Sequence, residues 1–129
     1  MTKGVLKILM LEDEPDDVGL INRALQRGNI SFEARVVDCK TNFLQEIMRF
    51  PPDVILADHS LPETNSIEAL IMCQAVGLNV PFFLVTGTVP DLFAKEFLKT
   101  GAAGYVLKSN LDELPPLILQ ALKDTEIGS

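Results

Sequence analysis

Val5-Leu6-Lys7-Ile8-Leu9-Met10-Leu11-Glu12-Asp13 is the stretch that decides how the chain is read. A strand wetted on one face alternates apolar and polar residues, because successive side chains point to opposite faces. Ile8 to Leu11 are all apolar, so Val5–Leu11 reads as a strand buried on both faces, as in a parallel sheet covered by helices. Val54-Ile55-Leu56-Ala57 shows the same pattern and is also followed by an acid, Asp58.

Around these two runs the chain alternates in character. Phe32–Val37, Phe82–Val85 and Tyr105–Leu107 read as further strands. Between them apolar residues fall at helical spacing: Val18, Ile21 and Leu25; Phe43, Leu44 and Ile47; Ile67, Leu70 and Ile71; Leu92, Phe93 and Phe97; Leu114, Leu117, Ile118 and Leu122. Gly28-Asn29, Pro51-Pro52, and Gly77 with Asn79-Val80-Pro81 supply the turns. Thr88 can cap the fourth helix with Pro90 in its first turn, while Pro115-Pro116 must start the last helix or kink it. Five strands alternating with five helices predict an α/β domain, residues 1–129 with a core of about 5–124, without linker or repeat.

Composition narrows the function. A chain of 129 residues with 47% hydrophobic and 22% charged residues is long enough for its own core. A net charge of −7, with the bases unclustered, argues against a nucleic-acid surface. Cys39 and Cys73 are too few for a disulfide scaffold, and no signal-peptide pattern stands at the start, so a cytoplasmic location is expected. Residues 69–90 carry no charge, but Gln74, Gly77, Asn79, Pro81 and Thr86 interrupt them; a helix, a turn and a buried strand explain them better than a membrane span.

In open α/β sheets, ligands bind beyond the carboxyl ends of the strands, where strand order reverses. At those ends stand Glu12 and Asp13, Asp58, Thr86 and Lys108. Carboxylates gathered on one edge repel one another, and a hard divalent cation such as Mg²⁺ relieves that repulsion. A lysine beside them suits a further anionic group such as phosphate.

The chain resembles the receiver domains of bacterial two-component response regulators from Lys7 to about Lys123. The resemblance is carried by Leu11-Glu12-Asp13, by Ile55-Leu56-Ala57-Asp58 with Leu61-Pro62, by Val85-Thr86-Gly87, and by Gly101-Ala102-Ala103-Gly104-Tyr105-Val106-Leu107-Lys108. It implies a flavodoxin-like, doubly wound (βα)5 sandwich with strand order 2-1-3-4-5. It also implies that Asp58 is the phosphoacceptor, supplied by a sensor histidine kinase or a histidine phosphotransfer protein. Asp13, Asp58 and the backbone carbonyl of Ser60 would hold Mg²⁺, with Glu12 acting through a water. Lys108 would pair with phosphoryl oxygens, Thr86 and Tyr105 would act as a switch, and Gly87 would leave room for the donor. Such a domain catalyses only its own phosphorylation and dephosphorylation, and binds a second copy or an output partner through its fourth helix, fifth strand and fifth helix. It is a stand-alone regulator or part of a larger protein such as a hybrid kinase.

Three positions depart from the family pattern. Ser109 stands where a proline in a cis peptide is usual, leaving the Lys108–Ser109 bond open to either geometry. Ser66 replaces a frequent glycine, with Asn65 or Ser66 available to cap the third helix, and the acidic pair is Glu-Asp rather than Asp-Asp. The missing proline is the support for an alternative, a receiver-like interaction scaffold that is not phosphorylated. Phosphatases of the haloacid-dehalogenase type carry a second aspartate where this chain has Ser60. Among individual residues, Asp16 and Asp17 read as helix-start acids only, His59 as an exposed loop residue and Cys73 as core. Phe93, Phe97 and Leu98 are candidates for a partner surface on the fourth helix, though at least two of the three are expected to pack on the sheet.

Overall fold

A computed structural model describes residues 4–59, 61, 66–87 and 91–128. Its elements are β1 (Leu6–Leu11), α1 (Pro15–Arg27), β2 (Phe32–Val37), α2 (Lys40–Arg49), β3 (Val54–Ala57) and α3 (Ser66–Ala75), then β4 (Phe82–Thr86), α4 (Asp91–Thr100), β5 (Gly104–Leu107) and α5 (Leu114–Gly128). A 3₁₀ segment, Lys108–Glu113, joins β5 to α5. The five strands form one parallel sheet in the order β2-β1-β3-β4-β5. Strand boundaries differ from expectation by one residue: β1 starts at Leu6, β4 includes Thr86, and β5 starts at Gly104.

The unbroken apolar runs have the expected cause. Ile8 and Met10 of β1, Val54 and Leu56 of β3, and Phe83 and Val85 of β4 join a core with Ile21 and Leu25 of α1 and Leu114 and Ile118 of α5. The intervening residues, Leu9, Leu11, Ile55, Ala57, Phe82 and Leu84, face a second core built on Phe43, Ile47, Leu70, Cys73 and Phe97. Helices therefore cover both faces, and only the edge strand β2 alternates polar and apolar residues as a half-wet strand does. Phe97 and Phe93 pack into the second core and Leu98 stays exposed, as expected for α4. Burial pushes the Cys73 thiol up to about 12, so it behaves as a small apolar side chain.

The turns show which residue does what. Gly28 has φ −82°, and it is Asn29 that takes the left-handed conformation at φ 60°. Gly28 is needed for closeness instead, since a Cβ there would overlap the Pro115 ring where α1 meets α5. Pro115 and Pro116 sit in the first turn of α5, where missing N–H groups cost the helix nothing. Among the described residues there is no cis peptide bond, so Lys108–Ser109 is trans. None of their helices is long and apolar enough to cross a membrane, and residues 69–87 hold the rest of α3 from Ala69 on, a turn and β4.

Candidate functional site

Strand order reverses between β1 and β3, and that is where the acids gather. The ladder between these strands ends at Leu11 and Ala57. It continues one step further, because the Asp58 N–H donates to the Leu11 carbonyl at 2.9 Å. On the other side the Glu12 N–H donates to the Val37 carbonyl at 2.9 Å. Sheet hydrogen bonds thus hold Glu12 and Asp58 at the rim.

Burying polar side chains is costly unless something compensates. Among the described residues, the polar or charged side chains that are buried are Glu12, Asp58, Thr86 and Ser66. Three of these were expected site residues, and the fourth has its hydroxyl 3.4 Å from Nδ1 of His59, the neighbour of Asp58. All four lie at the carboxyl end of the sheet or on the first turn of α3.

Lys108 supplies the compensation. Its Nζ lies 2.8 Å from Glu12 Oε1, 2.6 Å from Asp17 Oδ2 and 3.1 Å from Asp58 Oδ2, with only 15% of its side chain exposed. It donates hydrogen bonds to Asp17 and Asp58, whereas the Glu12 contact is an ion pair without hydrogen-bond alignment. Burial alone would lower the lysine's pKa, but its three carboxylate partners outweigh burial and raise it, so Lys108 stays a cation. Glu12 is shifted the opposite way for a carboxylate. Burial and the nearby Asp58 charge raise its pKa, against the lowering effect of Lys108 and the backbone.

The acids also suit a divalent cation. Glu12, Asp13 and Asp58 each offer an oxygen, all within 4.8 Å of one another. Backbone N–H groups of Asp13 and Glu14 donate to Glu12 Oε2 at 3.1 and 3.2 Å, while Glu12 Oε1 is buried and accepts no hydrogen bond. A buried oxygen met only by the Lys108 ion pair, beside two more carboxylates, fits a hard, oxygen-seeking ion such as Mg²⁺. The Ser60 carbonyl expected to join them lies outside the described residues, as do Asn65, Thr88 and Pro90.

Thr86 ends β4 and is buried, paired in register with Leu107; Tyr105 lies opposite Leu84 and is 39% exposed. A Cβ on Gly87 would meet open space. Two readings need correction. His59 is not simply exposed: its ring lies 3.9 Å from that of Phe93 of α4, tilted by 45°. Asp17 does more than start α1, since it makes the shortest contact to Lys108. No local pattern signals that pair, which spans 91 positions.

A family model described as "Response regulator receiver domain" matches residues 8–118. The chain is 30% identical over 121 residues to the regulatory protein AtoC of Escherichia coli K12, covering 93% of this chain and 26% of AtoC. It is 36% identical over 64 residues to the virulence factors transcription regulator BvgA of Bordetella pertussis, covering 49% of this chain and 31% of BvgA. A solved structure, the response regulator from Hahella chejuensis, matches with a TM-score of 0.75 at 30% identity, covering 92% of each chain. The chain therefore spans less than a third of the length of the two curated regulators.

Proposed function

The chain belongs to the response regulator receiver domain family, and from that premise we propose that it accepts a phosphoryl group on Asp58 in a two-component phosphorelay. The observation that carries this reading is the placement of the Lys108 ammonium 3.1 Å from Asp58, beside the Glu12–Asp13–Asp58 oxygen cluster. Phosphoryl transfer asks little of a protein beyond positioning and charge neutralisation. Asp13, Asp58 and the Ser60 carbonyl, with Glu12 through a water, would hold Mg²⁺, which would supply charge neutralisation for the phosphoryl group.

An Asp58 carboxylate oxygen attacks the donor phosphorus. The phosphorus–nitrogen bond to a kinase or phosphotransfer-protein histidine breaks, its electron pair stays on the imidazole, and that nitrogen regains a proton from solvent. Lys108 pairs with phosphoryl oxygens as the charge arrives. The product carries roughly −1.5 to −2 charges, enough to draw the Thr86 hydroxyl and bias the position of Tyr105. The output is a changed surface, offered to a second copy or another protein at α4, β5 and α5, where Leu92, Leu98, Tyr105, Leu117 and Leu119 are exposed. On this reading residues 1–129 make up one receiver domain working in the cytoplasm, catalysing nothing beyond its own phosphorylation and dephosphorylation.

The test is intact mass after incubation with phosphoramidate and Mg²⁺. We expect one phosphoryl adduct that requires Mg²⁺ and is lost in Asp58→Asn. If the adduct hydrolyses too fast to see, beryllofluoride binding on the same sample replaces it. Failure of both would leave a receiver-like scaffold.

A further inference from the structure

The three carboxylates around Lys108 are not equivalent. Glu12 and Asp58 belong to the oxygen cluster that suits a cation, and Asp17 does not. Asp17 comes from the first turn of α1 and makes the shortest contact, 2.6 Å against 2.8 and 3.1 Å. A cation entering the cluster competes with Nζ for the oxygens of Glu12 and Asp58, and phosphorylation takes one Asp58 oxygen into the acyl phosphate. Asp17 is the one anionic partner that this competition leaves in place.

We propose that Asp17 is a positioning residue for phosphoryl transfer: it holds the Lys108 ammonium beside Asp58 while the other two carboxylates are engaged. This rests on the phosphoacceptor reading above. A free lysine side chain loses substantial rotamer entropy when it is fixed, and a charge-assisted hydrogen bond formed before the reaction removes that loss from the barrier. The anchor is itself held firmly, because Ile21, Ala24 and Leu25 bury α1 against the sheet. The Asp17 side chain is 27% exposed and that of Lys108 15%, so solvent screens their attraction less than at an open surface.

A double-mutant cycle separates action through the lysine from a general effect on the fold. Aspartyl phosphate formation from phosphoramidate at saturating Mg²⁺ is followed in wild type, Asp17→Asn, Lys108→Met and the double variant. Asp17→Asn is expected to slow the reaction about tenfold when Lys108 is present and less than about twofold when it is absent. Asp17→Glu, which keeps the charge, should recover most of the rate. Asp17→Ser replaces Asp17→Asn if the latter melts early.

A second readout needs no phosphodonor. In Mg²⁺-saturated protein labelled with ¹⁵N-lysine, the Lys108 ammonium should give a slowly exchanging signal in wild type that broadens away in Asp17→Asn. Equal slowing in both lysine backgrounds, or an unchanged ammonium signal, overturns the proposal. If the wild type itself forms no adduct and binds no beryllofluoride, the phosphoacceptor reading falls and takes this one with it. An adduct combined with an additive cycle removes this one alone.

Discussion

Two ion pairs tie α1 to the 3₁₀ segment, and they share little beyond their length. Lys108 and Asp17 meet at 2.6 Å, and Arg27 and Asp112 at 2.7 Å. The side chains of the first pair are 15% and 27% exposed, those of the second 59% and 80%. Water already solvates Arg27 and Asp112, so their contact replaces good hydration with a bond of similar worth. Both Arg27 nitrogens, Nε at 3.2 Å and Nη2 at 2.7 Å, also reach for one oxygen, so the forked pairing that makes arginine effective is not formed. Lys108 stands instead among three acids, two of them nearly enclosed. Distance does not rank these contacts; what would be left behind without the cation does.

The largest effect that follows is on Lys108→Met. Removing the ammonium leaves Glu12 and Asp58 buried, close together and uncompensated. Loss of one partner from a buried charge pair costs about 3–5 kcal/mol, and the partly accessible rim places this site at the lower end, about 3 kcal/mol. Guanidinium unfolding at pH 7 in chelator measures it. Added Mg²⁺ should return much of the loss, because it binds the folded acids and not the unfolded chain. A variant as stable as wild type in chelator would mean that this cluster is as well solvated as Arg27 and Asp112.

Next in size is the pH dependence of Glu12. Its raised pKa means that the folded chain holds this proton more tightly than the unfolded one does. The stability it contributes is present below the ordinary value of 4.5 and is lost as pH rises through the raised one. Glu12→Gln abolishes that titration. In chelator, the stability of the variant relative to wild type should therefore climb as pH rises from about 4.5 toward neutrality. A difference that stays flat, or that falls with pH, would show that Lys108 holds Glu12 charged at no net cost, and the contrast with the exposed pair would weaken.

Both pairs also show what could be read before the structure. β1 and β3 were legible because burial on two faces removes polar alternation, and Ile8–Leu11 and Val54–Ala57 contain none. Asp58, Thr86 and Lys108 were legible because each ends a strand or directly follows one. Asp17 was hidden: an acid in a first helical turn has an adequate local explanation, and its lysine lies 91 positions away. His59 was hidden for the same reason, since only the folding of α4 brings Phe93 to its ring. The Lys108–Ser109 bond was open in the sequence and is trans in the structure.

The smallest expected effect is on Arg27, and it tests the comparison from the other end. If proximity were enough, Arg27→Ala would loosen the join between α1 and the segment that follows β5. Apolar contacts already make that join: Leu111 and Leu114 are buried in one core with Ile21 and Leu25, and Pro115 fills the space left by Gly28. The Arg27–Asp112 coupling, from a double-mutant cycle with Asp112→Ala, should be below about 0.5 kcal/mol and vanish at high salt. The matching cycle on Asp17 and Lys108 should keep most of its coupling under the same salt, because little water or counterion reaches Nζ. Equal salt sensitivity of the two would place Asp17 and Lys108 in the same class as the exposed pair, and their different exposure would then carry no energetic meaning.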